Sequence, residues 1–180
     1  MNRAALLIAL ALPLAACGGP TVSEENASVA EVTERVREAS GDEGLIRPGK
    51  WVSNVSVEQM EMPGMPPQAA EQMKRMIAQT HTSEACLTPE EVKEPKAGFF
   101  GGNENCRYDH FTMRRGKIDA KMRCEAGGAS QIMEMTGTYS PEAYEMRMKA
   151  TSEGGSASQG MTMQMKVDAK RTGECTADAA

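Results

Sequence analysis

The chain has 180 residues and a formal net charge of −5, enough for one domain with flanking segments. The acidic balance argues against nucleic acid or an anionic lipid surface as a partner, because both reward a basic face. Its charges are spread along the chain, as solubility requires, rather than gathered into a tail.

Residues 1–16 read as a lipoprotein signal peptide. Arg3 supplies a cation, residues 4–12 are an unbroken apolar run, and Leu14-Ala15-Ala16-Cys17 follows. The run is too short to span a bilayer as a stable helix. Small residues before a cysteine resemble the lipobox of bacterial lipoproteins. That resemblance implies cleavage before Cys17, a lipid thioether on its sulfur and an acylated amine. Acyl chains burying about 0.8 kcal/mol per methylene anchor a protein without a transmembrane helix. Gly18 stands where retention in the inner membrane usually calls for Asp, so the expected location is the cell envelope, at the periplasmic face of the outer membrane.

Residues 17–47 are expected to form a lipidated tether. Within residues 23–40, Val29, Val32 and Val36 recur at helical spacing among Glu31, Glu34, Arg35, Arg37 and Glu38. Ser23 suits the N-cap and Gly41 the end. The segment reads as a weak amphipathic helix or a solvated linker, with a partner-binding helix as the functional alternative.

Residues 48–176 are expected to form the folded domain, with a disordered tail at 177–180. Trp51, Val55 and Val57 alternate with polar neighbours and give a first strand. Met60-Glu61-Met62-Pro63-Gly64-Met65-Pro66-Pro67 breaks it. Pro67 then opens a helix whose stripe of Ala70, Met73, Met76 and Ile77 should lie over an open face or end of the sheet. A rim strand follows at residues 79–86. Thr88-Pro89-Glu90-Glu91 is a capping box. Phe99 and Phe100 sit in a glycine-flanked loop, where one ring plugs the core or both form an apolar lip at a binding mouth.

The next hairpin spans residues 106–113 and 117–124. Centring its turn on Arg115 pairs Cys106 with Cys124, Tyr108 with Met122, His110 with Ala120 and Thr112 with Ile118. Phe111 and Met113 then face the other way unless a bulge shifts them. Residues 131–139 and 144–152 alternate with period two on either side of Ser140-Pro141-Glu142-Ala143. That register sets Tyr139 opposite Tyr144, Gly137 opposite Met146 and Met135 opposite Met148. After the Gly/Ser-rich loop at 153–160, Met161, Met163, Met165, Val167 and Ala169 form the inward face of a last strand. The whole predicts a mainly β domain: a seven-strand antiparallel meander curved into a barrel or half barrel, with one short amphipathic helix.

Four cysteines follow Cys17, an even count that reads as two disulfides in an exported chain. The hairpin brings Cys106 to Cys124, and an up-and-down order brings Cys86 to Cys175 at the opposite end. Cys86 with Cys106 is the alternative pairing.

Several short strings stand in a familiar order. They are Pro48-Gly49-Lys50-Trp51, Met60-Glu61-Met62-Pro63-Gly64-Met65-Pro66, Thr80-His81-Thr82, Cys86-Leu87-Thr88-Pro89-Glu90, Gly98-Phe99-Phe100, Cys106-Arg107-Tyr108, Ile118-Asp119-Ala120, Met135-Thr136-Gly137-Thr138-Tyr139-Ser140 and Arg171-Thr172-Gly173-Glu174-Cys175. Together they resemble the bacterial envelope proteins of domain-of-unknown-function family 3617, over about residues 45–176. The resemblance implies export, a β-rich domain and paired cysteines, and no activity.

Methionine is the strongest compositional anomaly, with 15 in the chain. Beyond residue 16 the leucines are Leu45 and Leu87 alone. Methionine therefore stands where leucine would fill a core, and it adapts to varied apolar ligands. A Cu(I) site is the other reading, because thioethers are soft ligands; Met60, Met62 and Met65 with His81 or His110 are its candidate set. No catalytic residues are expected. Gly-x-Ser-x-Gly, His-Glu-x-x-His and phosphate-cradling motifs are all missing from the sequence, and cysteines held in disulfides are no nucleophiles. The reading is a non-catalytic lipid-anchored envelope module that binds a small apolar molecule or lipid, or serves structure. The alternatives are a methionine-rich copper lipoprotein and a protein that docks an envelope partner.

Overall fold

The computed structural model describes residues 19–77, 80–93, 103–126, 128–153 and 160–175. The expected signal peptide at 1–16, Cys17, Phe99, Phe100 and the expected tail at 177–180 lie outside them.

Five strands form an uninterrupted meander: β4 (Cys106–Arg114), β5 (Lys117–Ala126), β6 (Ala129–Ser140), β7 (Ala143–Glu153) and β8 (Thr162–Gly173). β2 (Gly49–Glu61) pairs with β8 and with β3 (His81–Leu87), and β1 (Val22–Ser28) pairs with β4. All pairings are antiparallel, and the order is β1-β4-β5-β6-β7-β8-β2-β3. This corrects the strand number of the expected seven-strand meander. Among the described residues the sheet has eight strands, and it is not closed into a barrel. The first and last expected strands do meet, as β2 and β8. However, β3 does not reach β4, whose free edge is taken by β1.

That eighth strand lies in the stretch expected to be a tether. Ser28, not Ser23, caps α1 (Val29–Ser40): its side chain accepts from the Glu31 N–H, and the Glu31 carboxylate accepts from the Ser28 N–H at 2.7 Å. These bonds hold the Glu31 carboxyl below its usual range. Val32 and Val36 are completely buried and Val29 nearly so. All three join one core with Tyr108, Phe111, Met113, Ile118 and Met122. A solvated linker would leave three valines in water; the helix instead buries them over the sheet.

The β4–β5 hairpin resolves the question of Phe111 and Met113. The turn has two residues, Arg115 (φ 50°) and Gly116 (φ 72°), rather than three. Phe111 therefore faces Ala120 and Met113 faces Ile118. A register shift between Tyr108 and His110 restores Cys106 opposite Cys124 and Tyr108 opposite Met122. The expected pairs His110–Ala120 and Thr112–Ile118 are thus replaced, and both large apolar side chains point into the core. Tyr108 and Phe111 meet edge to face, with ring centroids 5.4 Å apart. Burial pushes the Tyr108 phenol up to about 12.

The β6–β7 register is as the alternation predicts, with Tyr139, Gly137 and Met135 opposite Tyr144, Met146 and Met148. Trp51 stacks on Tyr144 at 5.8 Å and donates its indole N–H to the Arg47 carbonyl at 3.0 Å. Cys86 is joined to Cys175 (Cα–Cα 5.6 Å) and Cys106 to Cys124 (Cα–Cα 4.0 Å). Thr88 and Glu91 exchange the bonds of a capping box before α3 (Pro89–Lys93).

One expected contact is made only in part. α2 (Pro67–Ile77) has no fully buried residue, and Met76 is 71% exposed. Ala70, Met73 and Ile77 are half-buried, and of the stripe only Ile77 lines a groove against the end of β2.

Candidate functional site

Residues directly opposite across a ladder share a face of the sheet. Three rows of the core face can therefore be followed from β6 across to β2. One runs Met133, Ala150, Met163, Met60; the next Met135, Met148, Met165, Val57; the third Gly137, Met146, Val167, Val55, ending at His81 on β3. The sequence supplies the rows by strict alternation, and the two-residue turn at Pro141-Glu142 sets them in register. A shift between Val57 and Gln59 keeps Met60 on the same face as Val57.

Cover is uneven along these rows. At the β1–β4–β5 end, α1 closes the face, and Tyr108, Phe111, Met113 and Met122 are at most 1% exposed. Toward β7, β8 and β2 the helix is no longer above the sheet. Met146, Met148, Met161, Met163, Met165, Val167, Val55 and Val57 are all half-buried. Met133, Met146 and Met148 still touch the core from its margin. Gly137 matters here, because a Cβ on it would strike the Met146 sulfur and the Glu145 carbonyl. A groove of about 410 Å³ continues the surface between the end of β2 and α2, lined by Val57, Met60 and Ile77 with Glu58, Glu61 and Lys74 at its rim.

The opposite face is polar and internally neutralised. Lys166 pairs with Asp168 at 2.9 Å and Glu145 at 3.5 Å, and Arg147 with Glu145 at 2.6 Å. The Asp168 hydrogen bond raises the Lys166 ammonium above its usual range. Among the described residues every buried side chain is hydrophobic. Unlike the polar face, the half-open rows carry only apolar side chains and glycine until His81.

Of the copper set expected from sequence, Met60, Met62 and Met65 follow one another through the end of β2 and its turn, where the Met65 N–H donates to the Met62 carbonyl, while the two histidines lie on different faces of the sheet. Met60 is 9% exposed and faces Met163. Met62 and Met65 are half-buried in the turn after β2. His81 is exposed on β3, on the core face, whereas His110 lies on the polar face with Nε2 2.7 Å from Asp119 Oδ1. Six strand steps separate β3 from β4 in the sheet order. Among the described residues no three His, Cys, Asp or Glu side chains are grouped to hold a metal ion. The alternative use of the N-terminal helix also changes, since its valine stripe is turned into the core rather than toward a partner. Sequence reasoning missed this role of Val29, Val32 and Val36; their i, i+3, i+7 spacing was the available signal.

Residues 46–175 match the model of a protein family of unknown function, DUF3617. The chain belongs to that family. No curated protein and no solved structure matches it. The DUF3617 match takes in β2 through β8 and all four paired cysteines, while β1 and α1 precede it. The half-open rows thus belong wholly to the DUF3617 region, and the helix that closes the other end does not. Among the described residues no helix is long and apolar enough to cross a membrane.

Proposed function

We propose that this protein is a non-catalytic envelope lipoprotein whose DUF3617 domain holds a small apolar ligand, of acyl-chain character, on the core face of β7, β8 and β2. In this reading Cys17 carries the lipid, the periplasmic face of the outer membrane is the site of action, and the sheet curls as a half barrel around the ligand. The observation that carries it is the uneven cover of one continuous apolar face. A folded sheet loses roughly 25 cal/mol for every Å² of apolar surface left in water. Eight half-buried apolar side chains in adjoining rows are a surface that a ligand would complete. Methionine suits such a surface, since unbranched thioether side chains repack around ligands of different shape.

Titration with a fluorescent fatty-acid probe tests the reading. Saturable binding is expected, lost in Met165→Glu and unchanged in Lys149→Glu on the polar face. Absence of saturable binding, or equal binding by both variants, contradicts it.

A further inference from the structure

Apolar packing alone does not select sulfur. Leucine and methionine exchange in cores at a cost usually under about 1.5 kcal/mol, yet the face just described is built almost without leucine. Thioethers differ from leucine in being soft donors for metal ions.

We propose that Met135, Met148 and Met165 form a thioether site for a soft monovalent cation of the Cu(I) class, with Met148 at its centre. Met148 lies directly opposite Met135 on β6 and Met165 on β8, so three thioethers stand in line on adjacent strands. Opposed Cβ atoms are about 4.5–5.5 Å apart. Each sulfur lies two bonds beyond its Cβ on a freely rotating stem, so neighbouring thioethers can turn onto one ion. Met133 and Met163 stand on the diagonals from Met148, on either side of Ala150. The small alanine leaves space for them to lean toward the ion.

The surroundings agree with a soft ion. Met135 is 6% exposed, while Met148 and Met165 are half-buried. The line is thus seated in the core at one end and open to entry at the other. None of these rows brings a carboxylate among the sulfurs to favour a hard divalent ion. The site rests on the register of three strands, not on a ligand filling the face. It is also distinct from Met60, Met62 and Met65 at the end of β2, and from His81 and His110, which the sheet order keeps apart.

The test is competition of the full chain against a chromogenic Cu(I) chelator under reducing conditions. The chain is expected to withdraw one Cu(I). Met148→Leu should weaken binding by about tenfold or more, since even outer-shell partners of a bound metal are worth that much. A Met62→Leu/Met65→Leu double variant should bind as the natural chain does. With methionine methyls labelled, Ag(I) should shift the resonances of Met135, Met148 and Met165 first. Failure to withdraw Cu(I), full affinity in Met148→Leu, or first shifts at Met62, Met65 or Met76 would overturn the proposal. Fatty-acid probe binding is read separately on the metal-free natural chain: probe binding without Cu(I) withdrawal sinks this proposal alone, and Cu(I) withdrawal without probe binding sinks only the apolar-ligand reading. Loss of metal and loss of probe are therefore separate results.

Discussion

Val32→Ala and Val36→Ala test whether the segment before the DUF3617 region is part of the fold. Both side chains are completely buried. Each substitution removes two carbons, worth about 0.8 kcal/mol apiece in transfer from water. Incomplete closure of the space adds up to about 1 kcal/mol. Each variant should therefore lose about 2 kcal/mol, a large part of a domain's usual 5–15 kcal/mol. The two sites share one core cluster, so the double variant need not be additive. Urea unfolding followed by fluorescence of Trp51, the single tryptophan, reads the loss. Were residues 17–47 a solvated tether, both variants would stay within about 0.5 kcal/mol of the natural chain, and the assignment of α1 to the core would fail.

Two further outcomes follow from the core and the disulfides. The Tyr108 phenol is raised from 10.0 to about 12, so its stabilising effect is complete below pH 10 and is lost as pH rises toward 12, where the unfolded chain has already released its proton. At about 1.4 kcal/mol per unit the decline is roughly 3 kcal/mol; Tyr108→Phe should flatten this part of the stability profile, and an unchanged slope would refute the assignment. Replacing both Cys86 and Cys175 by Ala, which opens a separation of 89 residues, should cost about 4–5 kcal/mol, against about 3 kcal/mol for Cys106 and Cys124 at 18 residues. Calorimetry of the two double variants gives the order, and the reverse order would contradict the loop-closure argument.

Much of the sheet was legible because its long strands alternate strictly. Residues 131–139 and 144–152 leave one register that keeps both methionine rows on one face, and the structure adopts it. β1 was not legible for the opposite reason. Val-Ser-Glu-Glu-Asn-Ala-Ser has little β propensity, and Asn26 takes φ 50° partway along it. Its strand form is enforced by the free edge of β4, a tertiary cause that no local pattern carries. The β4–β5 register near the turn is off by one residue, since a two-residue turn and a compensating bulge leave the cysteine pair in place while moving Phe111 and Met113 to the core. α2 shows the limit of amphipathicity as evidence: its stripe foretells a helix but not a partner surface, and the helix leaves Met76 in solvent. Alternation places the methionine rows on one face without saying how fully that face is covered. The uneven cover over them depends on where α1 ends, and that became visible only with the fold.

The most direct measurement is photolabelling of the full chain with an alkyl diazirine, followed by peptide mapping of the adducts. Adducts are expected on the core face of β7, β8 and β2, at Met148, Met163, Met165 and Val57, and should be displaced by excess fatty acid. Adducts confined to the exposed stripe of α2 around Met76, or spread in proportion to solvent exposure, would contradict this expectation.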